Sequence, residues 1–320
     1  MYQKKNNFFH GIMFHHFCDK RMHIKSQGAI TKEELYKLIK FVGRKNILDA
    51  KEFMLRLNEN KLKKNNLCLT FDDGIKSQFD VALPVIEDFR IKSFFFIQSS
   101  ITRSKSDMIE VYRYFRTKFF KNIDEFYFLF FKICKKNIDN FFDKKKSLIN
   151  LTKKKFPHYS INDIKFRLLR DNLLSKNEYR NLMNEMFFIK SFDINKFYKF
   201  LYMSNQNLRK LKDLGHIIGM HSHTHPYLLE KLNYNEQMRE YRNNKKFLSN
   251  ILGCNDSEIL SMSHPCSSYN QNTLRVLRKL NIKIGFTSST FLDKKTKKLN
   301  NSQYEIARED HCTIIRMIKK

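Results

Sequence analysis

Two short motifs in this sequence hold side chains that could bind a metal ion and move protons. They are Thr70–Gly74 (TFDDG) and His221–His225 (HSHTH). Zinc binds imidazole nitrogen and carboxylate oxygen, and a catalytic zinc keeps one position for water. One aspartate with two histidines would supply three such ligands. The neighbouring aspartate could then take a proton from that water as a general base.

Each motif alone also has an ordinary explanation. Asp-Gly pairs are common in turns, and a histidine-rich stretch can be a solvated loop. Both motifs, however, directly follow apolar segments predicted as strands, Leu67–Phe71 and His216–Met220. Because sites in parallel α/β sheets form at the carboxyl ends of the strands, the two motifs together favour one shared site.

The elements that must position these motifs alternate between strand-like and helix-like segments in residues 1–100 and 206–320. This alternation predicts an α/β fold with a parallel sheet. Further strands are expected at Gly11–Phe17, Ser93–Ile97, Glu258–Met262 and Lys283–Thr287. Helices are expected after the capping box that begins at Thr31, within Asn46–Leu57, and at Ser77–Phe89, Leu208–Leu214, Asn233–Leu252 and Asn270–Leu280.

The middle of the chain, residues 101–205, differs in composition. It contains no glycine and a single proline, Pro157. Its aromatic and lysine residues recur at helical spacing, which predicts a helical insertion. Single-stranded nucleic-acid binding also interleaves aromatic with basic residues. Helix packing produces the same pattern and is the favoured interpretation.

The charge of the chain is strongly basic. Lys and Arg number 61 against 32 Asp and Glu, which gives a net charge of +29. Such a balance can mark a nucleic-acid or anionic-membrane partner. The surplus is only mildly denser in the middle of the chain, which favours a general compositional drift. We therefore expect no specific nucleic-acid partner, and leave open a weak contact with an anionic membrane surface.

Cysteine usage and hydropathy predict the compartment. The six cysteines form no CxxC pair, so neither a zinc ribbon nor a dense disulfide framework is expected. The first residues lack an apolar core of signal-peptide length, and no apolar run is long enough to span a membrane. A cytoplasmic location is expected.

The TFDDG and HSHTHP sequences resemble the first two motifs of the polysaccharide deacetylases of NodB type, carbohydrate esterase family 4. The resemblance implies a distorted (β/α)7 barrel. It also implies Asp72 as catalytic base, and Asp73, His221 and His225 as ligands of a divalent metal, with zinc as the first expectation. The implied reaction is the hydrolytic removal of an N-acetyl group from a sugar in a glycan or glycan precursor.

The surrounding sequence extends this resemblance. Leu211–Gly219 is similar to the lead-in of the second motif, and Gly11–Phe17 (GIMFHHF) resembles the N-terminal strand of the family's biofilm-glycan branch. A deacetylase domain is therefore expected at residues 1–100 and 206–320, with 101–205 as the helical insertion.

The chain departs from the family in its third and fourth motifs. An Arg-x-Pro-aromatic motif is expected where Ser263, Pro265 and Cys266 stand, and only the proline matches. No tryptophan exists for the fourth motif. A catalytically impaired, metal-containing carbohydrate-binding protein is therefore the alternative function.

The general acid of the family is usually a late histidine, and this chain offers His264 or His311. Arg308, in the sequence IARED, resembles a late arginine of some relatives, which implies that it orients the base; a surface ion pair is the alternative. His223 is expected to point away from the metal, while His15 and His16 could line the cleft. The ligand set suits zinc, cobalt or iron.

Overall fold

The chain forms two compact units in a computed structural model that describes residues 8–26, 28–99, 108–155, 159–288 and 300–319. The barrel unit comprises Met1–Asp107 with Lys199–Lys320, and the helical unit comprises Met108–Tyr198. The interpretation of the second unit as an insertion into a deacetylase domain stays a prediction.

The described part of the barrel unit contains seven parallel strands that close into a barrel in chain order. This architecture confirms the expected seven-stranded barrel. The strands are β1 (Gly11–Phe14), β2 (Cys68–Asp72), β3 (Phe94–Ile97), β4 (Ile217–Met220), β5 (Ser261–Ser263), β6 (Ile284–Ser288) and β7 (Ile306–Asp310).

Helices connect the strands. In the first half of the barrel unit they are α1 (Lys32–Val42), α2 (Ala50–Asn58) and α3 (Leu83–Asp88), the last preceded by a π-helical turn at Gln78–Ala82. In the second half they are α11 (Asn205–Asp213), α12 (Tyr234–Leu252), α13 (Gln271–Lys279) and α14 (His311–Ile318). The expected capping box of α1 is present, with Thr31 and Glu34 bonding each other's backbone.

Two strand boundaries differ from the sequence prediction, and two elements were missed. Strand β1 ends at Phe14 rather than Phe17, which leaves His15 at the carboxyl end of the strand. Strand β5 begins only at Ser261, because Asp256–Glu258 form a 3₁₀ turn capped by Asn255. Strand β7 and helix α14 were not predicted, because the polar sequence of β7 lacks apolar alternation.

Side chains inside the barrel change from apolar to polar along its axis. Phe53 of α2 packs edge-on against Phe94, with ring centroids 6.3 Å apart, and Phe94 contacts Phe286 at 5.1 Å. Alternate residues of a strand share one face, so Cys68 in this apolar layer is followed by Thr70 and then Asp72 on the same face of β2. The apolar layer thus supports the buried polar groups at the carboxyl end of the barrel.

The helical unit has an aromatic core. Phe115, Phe126, Phe130 and Phe166 are fully buried, which agrees with the packing role expected for these rings. The helices are α4 (Ile109–Lys118), α5 (Ile123–Ile133), α6 (Ile138–Lys144), α7 (Lys146–Lys155), α8 (Ile161–Leu168), α9 (Lys176–Ile189) and α10 (Ile194–Leu201), which continues into the barrel unit. Among the described helices of both units, none has the length and apolarity that a membrane span requires.

Candidate active site

The two sequence motifs meet at the carboxyl end of the barrel. Asp72 is the last residue of β2 and Asp73 follows it, while His221 directly follows β4. The Nε2 atoms of His221 and His225 lie 3.2 and 3.4 Å from the same carboxylate oxygen, Oδ1 of Asp73. The predicted set of three metal-binding side chains is thus close in space.

The spacing of these atoms fits a single metal ion. Two ligands of one tetrahedral zinc lie about 3.3 Å apart, given metal–ligand distances near 2.0 to 2.1 Å. The three ligand atoms of Asp73, His221 and His225 lie within 4.8 Å of one another. Asp73 Oδ1 is buried and accepts no hydrogen bond within the described residues. One buried carboxylate oxygen and two imidazole nitrogens together form a set of ligand atoms that fits a divalent cation.

Two of these three side chains stand on strained backbone. Asp73 has φ +76° and His225 has φ +53°, the left-handed region that side chains other than glycine rarely adopt. Such residues persist where the surrounding structure holds them, and they cluster at functional sites. Gly74, with φ +66°, supplies the expected sharp turn after the acids.

The protonation states suit metal binding. Burial alone would raise the pKa of Asp73, but His221 and His225 beside it lower that pKa strongly. Burial lowers the pKa of His225 to about 4. Burial also disfavours a charged His221, yet the carboxylates of Asp72 and Asp73 outweigh it and raise the pKa of His221. At neutral pH Asp73 is ionised and His225 is neutral, the forms in which both bind metals.

Asp72 has a separate set of partners. Its Oδ1 accepts a hydrogen bond of 2.8 Å from Nη1 of Arg308, and its Oδ2 accepts one of 3.2 Å from the hydroxyl of Ser263. Burial alone would raise the pKa of Asp72, but the Arg308 guanidinium outweighs burial and lowers it. Asp72 is therefore ionised at neutral pH, as a general base must be before it takes a proton.

Arg308 lies inside the barrel, and its side chain is only 1% exposed. This placement excludes a surface ion pair. Its Nε donates to the carbonyl of Thr287 at 3.2 Å and its Nη2 to Ser263 Oγ at 2.8 Å. Gly11 on the adjacent strand makes room for it, because a Cβ at Gly11 would lie 2.5 Å from Arg308 Cγ. The guanidinium thus reaches Asp72 past a glycine.

His15 is the histidine that approaches both acids from outside the metal set. Its Nε2 lies 4.0 Å from Oδ2 of Asp72 and 4.0 Å from Oδ2 of Asp73, and its side chain is 32% exposed. Gln78 fixes this arrangement, because its amide donates to the carbonyls of His15 at 2.9 Å and Asp72 at 2.5 Å. Gln78 begins the π-helical turn, a feature frequent at functional sites.

The two late histidines are held by backbone carbonyls instead. Nε2 of His264 lies 2.9 Å from the carbonyl oxygen of Tyr304. The ring nitrogens of His311 lie 3.0 and 2.8 Å from the carbonyl oxygens of Met13 and Gly28. Burial also lowers the pKa of His264 to about 4. The assignment of either histidine as general acid stays a prediction that this geometry does not favour.

The middle histidine of the second motif lies outside the metal set. Nδ1 of His223 is 2.6 Å from the hydroxyl of Ser99. The sequence signal that could have singled out His15 is its place directly after a short apolar strand, the same position that Asp73 and His221 occupy at their own strands.

Comparisons with known proteins bear on the family and the fold of this chain. A family model described as polysaccharide deacetylase matches residues 173–285, which include His221, His225 and Ser263. The resemblance to the polysaccharide deacetylase family is confirmed. This match supports an assignment as a polysaccharide deacetylase over the residues that the family model covers. No curated protein sequence matches the chain.

Solved structures of deacetylases share the fold. The Streptococcus pyogenes deacetylase PplD in complex with acetate has a TM-score of 0.54 at 15% identity, covering 95% of this chain and 92% of its own. IcaB from Ammonifex degensii has a TM-score of 0.55 at 12% identity, covering 98% of both chains. A de-N-acetylase from Aggregatibacter actinomycetemcomitans has a TM-score of 0.51 at 12% identity, covering 94% of both. At these identities the likeness is one of fold.

The departure from the third deacetylase motif has a structural counterpart. Ser263 stands where the motif's arginine is expected, and its hydroxyl accepts from Arg308 and donates to Asp72. A guanidinium therefore reaches Asp72 from β7 rather than from β5. Cys266, in place of the motif's aromatic residue, is exposed and has φ +51°.

Proposed function

We propose that this chain is a metal-dependent hydrolase that removes an N-acetyl group from a sugar in a glycan or glycan precursor. One observation carries the proposal. Asp73 Oδ1 lies within 3.4 Å of both imidazole Nε2 atoms of the second motif, while the separately held carboxylate of Asp72 lies beside them.

Asp73, His221 and His225 would hold the cation, and zinc suits this ligand set best. When bound, the cation would polarise the acetamide carbonyl and acidify the attacking water. Asp72 takes a proton from that water through Oδ2, which accepts one hydrogen bond from the neutral Ser263 hydroxyl, because Oδ1 is paired with the charged guanidinium of Arg308.

We assign the proton donor to His15. Its Nε2 is 4.0 Å from each carboxylate, on the partly exposed side of the site from which a sugar can enter. His15 gives a proton to the sugar nitrogen as the C–N bond breaks, and acetate leaves with the oxygen of the water. The remaining hydrogen of the water passes to the amine, so the products are acetate and a sugar ammonium group. Asp72 loses its proton to solvent and His15 regains one, so atoms and charge balance.

Acetate release from an N-acetylglucosamine oligomer tests this proposal. The wild type is expected to release acetate, and a chelator is expected to stop it. Asp72→Asn should lower turnover by about 10²–10⁴-fold, the range for loss of a general base, while zinc stays bound. Full activity in Asp72→Asn would refute the assignment of the base.

His15→Ala, compared with His311→Ala, separates two of the candidate proton donors. It is expected to lower turnover by a similar factor, whereas His311→Ala should change stability more than turnover because both ring nitrogens contact backbone carbonyls. Zinc binding without any acetate release from N-acetylated sugars would favour the alternative, a carbohydrate-binding protein without turnover. The cytoplasmic location and the weak membrane-surface contact stay predictions from the sequence.

A further inference from the structure

The loop that contains both metal-binding histidines, His221–His225, is attached to helix α12. Glu240 and Asn244 lie four residues apart on this helix and therefore on the same face. Both side chains bond the backbone of the loop. Neither offers an atom to the group of possible metal ligands formed by Asp73, His221 and His225.

Asn244 joins the ends of two neighbouring strands. It is fully buried. Its Oδ1 accepts a hydrogen bond of 2.9 Å from the backbone N–H of His221, and its Nδ2 donates one of 3.0 Å to the carbonyl of Ile97. The start of the loop is thereby fixed to the end of β3 as well as to β4.

Glu240 holds the middle of the loop with three hydrogen bonds. Its Oε2 accepts from the backbone N–H groups of His223 at 3.0 Å and Thr224 at 2.8 Å, and its Oε1 accepts from the Thr224 hydroxyl at 2.8 Å. The loop needs such support, because Ser222 and His225 have left-handed backbone with φ +64° and +53°. Strained residues keep their conformation only where neighbouring groups hold them.

The two histidine rings depend on this support to different degrees. A histidine that binds metal is normally oriented by a partner at its other ring nitrogen. His221 has one, since its Nδ1 lies 2.9 Å from the carbonyl oxygen of Ser263. Nδ1 of His225 is buried and has no hydrogen-bond partner among the described residues. The position of the His225 ring therefore follows the loop backbone, which Glu240 holds.

We infer that Glu240 and Asn244 are positioning residues that set the metal affinity of this site. The inference rests on the proposed function, because it concerns the same three ligands. Loss of either side chain removes none of the three ligands, but it allows the loop to relax and the His225 ring to move away from its place opposite Asp73.

Zinc titration of the metal-free protein tests this inference. Glu240→Ala and Asn244→Ala are each expected to bind zinc about 10–100-fold more weakly, the range for loss of a group that orients a metal ligand. Asn243→Ala is the matched control, because Asn243 precedes Asn244 on the same helix and is exposed. Its zinc affinity should equal that of the wild type.

Two further measurements separate positioning from general loss of structure. Glu240→Gln keeps an oxygen for the two N–H groups and an amide that can donate to the Thr224 hydroxyl, so its zinc affinity should return close to the wild-type value. If Glu240→Ala does not fold, Thr224→Val removes one of the three hydrogen bonds at an exposed position and should still weaken zinc binding.

The failures of the two hypotheses are distinguishable. A wild type that binds no zinc would overturn the proposed function and this inference together. A wild type that binds zinc, with Glu240→Ala and Asn244→Ala variants that bind it equally well, would overturn the inference alone. A Glu240→Gln variant as weak as Glu240→Ala would overturn it too.

Discussion

Asp72 and Asp73 are adjacent in the sequence, but the structure surrounds them with different partners. Both oxygens of Asp72 accept hydrogen bonds, from Arg308 and from Ser263. Oδ1 of Asp73 accepts none within the described residues and faces the Nε2 atoms of two histidines. The positive charge that balances Asp72 is thus the side chain of Arg308, a fixed part of the barrel. Asp73 Oδ1 remains available to bind a ligand.

This difference follows from the geometry of a strand end. Asp72 still belongs to β2, so it points into the barrel towards Arg308. Asp73 has left the strand with φ +76°, which turns it towards the second motif. Two consecutive carboxylates can therefore serve as base and ligand without competing for one partner. We expect substitutions around Asp72 and substitutions around Asp73 to have different consequences. The expected effects are largest for loss of the Arg308 ion pair and smallest for titration of His221.

Arg308→Met should have the largest effect on stability. Removal of one partner of a buried ion pair costs about 3–5 kcal/mol in free energy of unfolding. The lowered pKa of Asp72 means that the pair stabilises the fold above the ordinary aspartate pKa of about 3.9, and that this contribution is lost as the pH falls through the lower, folded value.

Urea unfolding of Arg308→Met and the wild type measures this effect. The difference between them should be large at pH 7 and should shrink below about pH 4 as Asp72 becomes protonated. Arg316→Met, an exposed arginine of α14, is the control and should differ little from the wild type. An equally small change in Arg308→Met would show that Asp72 does not depend on this guanidinium.

Asp73→Asn should abolish the stabilisation that zinc gives. A ligand at one hundred times its Kd stabilises the folded state by about 2.7 kcal/mol. Thermal unfolding with and without zinc should show this gain in the wild type and in Asp72→Asn, but not in Asp73→Asn. Equal gains in both variants would remove the distinction between base and ligand.

Gly11→Ala should disturb the Asp72 side selectively. The added Cβ would lie 2.5 Å from Arg308 Cγ, and overpacking of this kind costs about 1–3 kcal/mol. Turnover should fall as well, because the guanidinium shifts from Asp72. In Gly253→Ala the added Cβ meets no atom within 4 Å, although φ is +59°, so that variant should lose stability while keeping its kcat. Unchanged kcat in Gly11→Ala would contradict this role.

The pH dependence of zinc binding should give the smallest effect. His221 must lose its proton to bind metal, and the carboxylates beside it raise its pKa above 6.5. When the pH is lowered, zinc affinity should therefore begin to fall while the pH is still above 6.5. It should then fall by up to tenfold per pH unit, which corresponds to about 1.4 kcal/mol in binding free energy. His225, with a pKa of about 4, should add nothing until the pH approaches that value. Calorimetric titration at several pH values measures this slope.

The parallel sheet could be predicted because the alternation of strand-like and helix-like segments is a local pattern. The seven-stranded barrel was implied by the resemblance of two motifs to the deacetylases, and the structure confirms it. The same resemblance implied Asp73, His221 and His225 as metal ligands, and that assignment stays a prediction. The role of Arg308 could only be raised as one option. The polar sequence of β7 gives no strand signal, and the buried course of Arg308 depends on Gly11, almost 300 positions away in the chain.

The proton donor that we propose, His15, was harder to predict for a related reason. His264 and His311 were chosen because family members use a late histidine, whereas the approach of His15 to both acids depends on where β1 ends and on the bond from Gln78. Neither the strand end nor the π-helical turn has a distinct sequence pattern. The surroundings of Arg308 and His15 therefore depend on long-range packing, which sequence patterns do not predict.

The reach of Arg308 to Ser263 and Asp72 bears on how active and inactive relatives are sorted. A linear sequence motif recognises an arginine only at one fixed position, so a chain with serine at that position is taken to lack the arginine that contacts the catalytic base. In the structure an arginine on another strand contacts the same carboxylate, and a glycine beside that arginine makes room for its side chain. We expect related sequences with serine at the Ser263 position to conserve arginine and glycine together at the positions of Arg308 and Gly11. The absence of both residues would be a better criterion for loss of deacetylase activity than the missing third motif alone.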